Sequence, residues 1–171
     1  TKMPGGYSSR GGQVIHAVKS GLDPLGSSTG SAVAVAAGIV PMAVGTDTSH
    51  SITACAMGNG ICGLKPPAGV LSQEGIIPIS KTFDSAGAMA QNVSDTLKLY
   101  SAMRDEPLPE ITQTPAGKLR ISVNIANADM NPQERRKYLD GVIEELRNNG
   151  VVSSEVNQPP TPELPSIMKK E

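Results

Sequence analysis

The sequence predicts an α/β fold, and three observations carry that expectation. A strand, a helix and a second strand follow one another between about residues 118 and 155, the pattern of a layered α/β unit. Earlier, an apolar helix (SAVAVAAGIV) runs straight into a buried-looking strand (VPMAVG). The composition suits a packed interior, with 171 residues, 38% hydrophobic, 18% charged and a net charge of −1. With one Phe, three Tyr and no Trp, that interior rests on Val, Ile, Leu, Ala and Met.

The elements follow in order. The chain opens within a glycine-rich loop, TKMPGGYSSRGG, with no element before it to carry that loop, which reads either as a disordered N-terminus or as part of a longer protein. The helix SAVAVAAGIV is apolar nearly all round, which places it in an interior, and Gly38 ends it. VPMAVG then forms a short strand closing on a glycine turn, and GICGLK a second one. From Val93 to Met103, Val93, Leu97, Tyr100 and Met103 recur at helical spacing, with Asn92 or Ser94 available as cap. RDEPLPEITQTPAGK is a connector, because its prolines and glycine forbid a regular element.

In LRISVNI the alternation of Leu119, Ile121, Val123 and Ile125 marks a strand. NPQERRKYLDGVIEELRNNG is the clearest helix: Asn131 caps it, Pro132 sits in its first turn, Leu139, Val142, Ile143 and Leu146 form its stripe, and Gly150 ends it. VVSSEV follows as a strand. The proline-rich tail, 158–171, carries no docking signal and is expected to be loosely held.

Several functions are excluded. The 15 basic and 16 acidic residues are interspersed and lack interleaved aromatics, so no nucleic-acid footprint exists. No apolar run is long enough to span a bilayer and no leader-like segment opens the chain, which leaves a cytoplasmic location as the default. Cys55 and Cys62 come with no ligand cluster and read as small core residues; no metal and no cofactor are expected. Neither glycine-rich phosphate motif is present. Asp47, Asp84 and Asp95 stand at turn and cap positions, where a carboxylate organises backbone N–H groups.

Two serines, Ser27 in the loop GSSTGS and Ser51 beyond the apolar strand, raise the question of chemistry. A serine hydroxyl needs a proton acceptor and an oxyanion site before it can act as a nucleophile. Histidine is the familiar acceptor, and the chain has only His16 and His50. No G-x-S-x-G elbow is present, and His50 is adjacent to Ser51, a geometry in which side chains diverge. Taken by itself, GSSTGS also fits an ordinary helix-capping turn.

A longer set of motifs settles on a family. GSS at Gly26–Ser28, GTDT at Gly45–Thr48, Ser51, GLKP at Gly63–Pro66, FDSAG at Phe83–Gly87 and Val93-Ser94-Asp95 occur in an order and spacing that resemble the amidase signature family. The resemblance extends to the amidase component of glutamyl-tRNA(Gln) amidotransferase. It implies the amidase signature fold, a mixed central sheet flanked by helices on both faces. Residues 1–171 would form a single incomplete domain, with the signature core at about 6–103, a strand-helix-strand continuation at about 118–155 and the flexible tail at 158–171.

The resemblance also implies a Ser-cisSer-Lys triad cleaving a carbon–nitrogen amide bond without histidine. Ser51 matches the nucleophile and Ser27 the cis-serine, and the backbone N–H groups of Thr48, Ser49, His50 and Ser51 would form the oxyanion hole. A small amide is the implied substrate, with no cofactor. Ser49 and His50 stand where the family has paired glycines, and Thr53 and Cys55 where it has Arg and Pro. The family's lysine lies several tens of residues before the cis-serine. Lys2 and Lys19 are too close to Ser27, and Lys65 belongs to GLKP. Two functions therefore follow: an amide hydrolase, or a catalytically inactive amidase-like fragment or pseudoenzyme with an assembly role. A chain of this kind is expected to expose apolar surface that self-association or a partner subunit covers.

Overall fold

The computed structural model describes residues 5–107, 114–124 and 132–156. The chain divides into two compact units, Thr1–Pro109 and Glu110–Glu171.

In the first unit, β1 (Tyr7–Ser8) and β2 (Gly12–Gln13) make a small antiparallel hairpin inside the glycine-rich opening loop. Helix α1 (Thr29–Ala36) stops before Gly38, whose φ of 70° suits glycine. Strand β3 (Met42–Asp47) runs through Gly45 instead of turning there, because Gly45 is a close-approach position within the strand. Helix α2 (Thr53–Asn59), strand β4 (Cys62–Leu64), strand β5 (Ser85–Ala90) and helix α3 (Val93–Arg104) complete the unit. Asn92 is the cap of α3, its side chain accepting the Asp95 N–H at 2.9 Å.

The sheet has the order β3-β5-β4, with both pairings antiparallel. Every residue of β5 is buried. Period-2 alternation sends Gly87 and Met89 to one face and Ala86, Ala88 and Ala90 to the other. Met89 joins Ala32 of α1 and Ile52 and Cys55 at the start of α2 in a fully buried cluster, against which Leu25 and Ile61 pack. Helix α3 packs on the opposite face, so helices cover both sides of this sheet.

Three glycines set the closeness of that packing. A Cβ on Gly45 would meet Ile52 Cγ1 at 3.1 Å, one on Gly63 would meet Ile52 Cγ2 at 3.1 Å, and one on Gly87 would meet Ile52 Cδ1 at 2.7 Å. Ile52 thus lies in a trough that one glycine from each strand leaves open. The trough fixes the height of the turn that leads from β3 into α2.

The second unit holds β6 (Arg120–Asn124), α4 (Pro132–Asn148) and β7 (Val152–Val156), the two strands pairing in parallel from Arg120↔Val152 to Asn124↔Val156. Ile143 is buried and Leu139, Val142 and Leu146 are half-buried, as the helical stripe requires. Gly150, at φ 77°, turns the chain into β7. Ile125, Asn131 and the tail from 158 lie outside the described residues.

Candidate active site

The loop before α1 and the turn before α2 meet at one end of the three-stranded sheet. The Ser28 N–H donates to the Ser51 carbonyl at 3.2 Å, which latches the two segments together. The peptide bond between Gly26 and Ser27 is cis. Ser28 is the N-cap residue of α1, but its side chain makes no capping hydrogen bond. Its hydroxyl donates to the Thr46 carbonyl at 2.9 Å and accepts the Thr46 N–H at 3.1 Å, so it fastens the serine loop to β3. Thr29 donates to the Leu25 carbonyl, and Ser31 to the Val44 carbonyl at 2.7 Å. The hydroxyls around Ser27 are therefore committed to backbone.

Ser27 is exposed and Ser51 half-buried. Among the described residues, neither hydroxyl has a hydrogen-bond partner, and the N–H groups of Ser49, His50 and Ser51 donate to none. Ser49 and His50 are exposed. A cavity of about 480 Å³ opens beside Ser27, lined among others by Gly5, Gly6, Tyr7, Val14 and Thr29.

Carboxylates hold the turn at both ends. Asp47 is 1% exposed, and its Oδ2 accepts the N–H of Ile52 at 2.7 Å and of Thr53 at 3.3 Å, bracing the residues just after Ser51. Asp84 Oδ1 accepts the Thr48 hydroxyl at 2.5 Å, while its Oδ2 takes the N–H groups of Ile79 at 2.8 Å and Ser80 at 3.1 Å. Burial opposes charge on Asp84, but the Thr48 hydroxyl, these two N–H groups and the nearby Lys65 outweigh it and hold its carboxyl below the usual range.

A stability consequence follows with a definite sign. The unfolded carboxyl titrates at about pH 3.9, and the folded one lower, so the contribution of Asp84 is complete above that pH and is lost as pH falls through the folded value. Asp84→Asn is expected to lower the melting temperature at neutral pH and to flatten its decline below about pH 4, read by thermal circular dichroism across that range. A decline as steep as in the unaltered chain would contradict this role.

His16 is engaged elsewhere. Its ring Nε2 donates to the Gly58 carbonyl at 2.8 Å, and Nδ1 accepts the N–H of Val18 at 3.1 Å and of Lys19 at 3.3 Å. Both nitrogens are occupied, which fixes the tautomer and leaves no base. Asp95 pairs with Lys98 at 2.7 Å and with Asn92. Cys55 is buried and Cys62 half-buried, both as free thiols; burial pushes the Cys55 thiol up. Sequence reasoning did not single out Ser28 as the clamp, or Asn59, whose buried amide donates to the carbonyls of Pro24 at 3.0 Å and Cys55 at 2.9 Å and so ties α2 to the serine loop. Only Ser28, as the second serine of the pair, carried a signal. Among the described residues, no group of three His, Cys, Asp or Glu side chains could hold a metal, and no helix is long and apolar enough to cross a membrane.

Known proteins resemble the chain in sequence and in fold. The family model described as Amidase matches residues 3–171. A probable amidase of Arabidopsis thaliana is 40% identical over 113 residues, 66% of this chain and 22% of the relative. A glutamyl-tRNA(Gln) amidotransferase component of Novosphingobium aromaticivorans is 37% identical over 155 residues, 82% of this chain and 31% of the relative. A crystal structure of an amidase superposes with a TM-score of 0.80 at 31% identity, covering 95% of this chain and 37% of its own. The chain thus spans less than two fifths of the length of each.

Proposed function

The chain belongs to the amidase family, and on that premise we propose that it carries the serine half of an amide-hydrolysing site, completed by a lysine from polypeptide outside these 171 residues. The bond from the Ser28 N–H to the Ser51 carbonyl supports this reading most strongly, because it brings the loop of Ser27 against the turn of Ser51. Ser51 Oγ attacks the carbonyl carbon of a small amide, and its proton passes through the Ser27 hydroxyl to the neutral lysine. The carbonyl oxygen, now an oxyanion, accepts from the N–H groups at Thr48–Ser51. The carbon–nitrogen bond then breaks, the amine leaves with the relayed proton, and water hydrolyses the acyl-enzyme. No step needs a cofactor.

Among the described residues, the hydroxyls of Ser27 and Ser51 and the N–H groups of Ser49, His50 and Ser51 have no hydrogen-bond partner, which fits these roles. Exposed apolar side chains, such as Ile15, Val18, Met57 and Ile77, support further polypeptide covering this unit, from a second copy or a partner protein. A second reading, a silent fragment with an assembly role, draws on Ser49 and His50, both exposed, which stand where the family has paired glycines.

The two readings separate in an assay on small amides. Fused to a lysine-bearing segment of a relative, the chain is expected to hydrolyse them, and Ser27→Ala to slow the reaction by about 10²- to 10⁴-fold with its melting temperature unchanged. No turnover in the fused form would favour the silent reading.

A further inference from the structure

Three charged residues converge at one end of the β3-β5-β4 sheet, directly at the foot of the Thr48–Ser51 turn. Asp47 is the last residue of β3, Asp84 immediately precedes β5, and Lys65 immediately follows β4. Antiparallel pairing on both sides of β5 makes this the same end for all three strands. The Asp47 Oδ2 braces Ile52 and Thr53, yet its Oδ1 is buried with no hydrogen-bond partner. What faces that oxygen is Lys65 Nζ, at 4.0 Å, on a side chain only 24% exposed. The same ammonium acts on Asp84, which holds Thr48 at the other end of the turn.

We propose that Lys65 is a positioning residue for the proposed nucleophile turn: its ammonium balances the charges of Asp47 and Asp84, so that one carboxylate holds Ile52 and Thr53 and the other holds Thr48. The inference rests on the reading of Thr48–Ser51 as the catalytic turn. It gives Lys65 a role distinct from proton transfer, since its charge is used beneath the turn and not at Ser51. Without the cation, two buried carboxylates face one another's field uncompensated, and the hydrogen bonds that end the turn weaken.

Amide and ammonium hydrogen exchange, followed by NMR on the chain itself, tests this. In Lys65→Met the Ile52 and Thr53 amides are expected to exchange about tenfold faster relative to those of Ala88 and Met89 in β5, and Lys65→Arg to restore most of the protection. Equal protection in Lys65→Met, or a loss that Lys65→Arg does not repair, would overturn the proposal. The unaltered chain gives a second reading that needs no variant to fold: the Lys65 ammonium protons are expected to exchange about tenfold more slowly than those of Lys137 on α4. Exchange as fast as at Lys137 would overturn it as well. Neither reading requires Ser51 to be acylated, so failure of the Ser51 assignment and failure of the Lys65 assignment register separately.

Discussion

Ser51→Ala is expected to lower amide hydrolysis by a factor on the order of 10⁶ in the lysine-bearing fusion, the scale on which loss of a serine nucleophile acts in other hydrolases. The substitution removes only an oxygen that has no hydrogen-bond partner among the described residues, on a half-buried side chain. The fold should not register it, and the melting temperature is expected to stay within about 2 °C. Steady-state hydrolysis of a small amide, measured beside thermal circular dichroism, checks both halves. Loss of activity with a large drop in melting temperature would mean that Ser51 holds the turn together and does no chemistry.

The second large effect is on stability and falls one residue later. Ile52→Ala is expected to destabilise the chain by about 2–5 kcal/mol, the range for truncating a fully buried aliphatic side chain when the site cannot collapse. Collapse is hindered here because the floor of the trough is backbone: Gly45, Gly63 and Gly87 have no side chains that could move in to fill the space. The same substitution loosens the start of α2, so Ser51 loses its fixed height above the sheet. Ile52→Val, which keeps most of the volume, is expected to cost about 0.5–1.5 kcal/mol. Urea denaturation of the two variants gives the comparison, and equal losses would contradict the trough account.

What the sequence disclosed and what it hid divide along physical lines. Helix α3 was legible from its periodic apolar residues and the cap Asn92, helix α4 from its apolar stripe and Gly150, and strand β6 from the alternation of Leu119, Ile121 and Val123. Strand β5 escaped, since SAGAMA contains neither β-branched nor aromatic residues. Its small side chains are what central placement between α3 and the α1/α2 layer demands. Helix α2 escaped for a related reason: TACAMGN is short, and its capping carboxylate, Asp47, comes from the preceding strand instead of from an adjacent cap residue. The hairpin β1-β2 is two residues per strand, below what alternation can reveal.

The site followed the same rule. Ser27 and Ser51 were proposed from motif order alone, because the bond that latches their loops is made by backbone at Ser28 and Ser51 and leaves no side-chain signature. Asp47 and Asp84 were recognisable as turn and cap residues, which is the work they do. Their shared neighbour Lys65 was not recognisable as theirs, since only the antiparallel pairing of β4 on β5 brings it to that end of the sheet.

Fluorophosphonate labelling followed by intact mass and peptide mapping tests the central claim most directly, because it reads acylation at a single atom. In the fusion with a lysine-bearing segment, one adduct per chain is expected, mapping to Ser51, abolished by Ser51→Ala and slowed by Ser27→Ala. The 171-residue chain without that segment is expected to stay unlabelled on the same timescale. An adduct that maps to another residue, or one at Ser51 that forms as fast without the lysine or without Ser27, would contradict the two-serine relay.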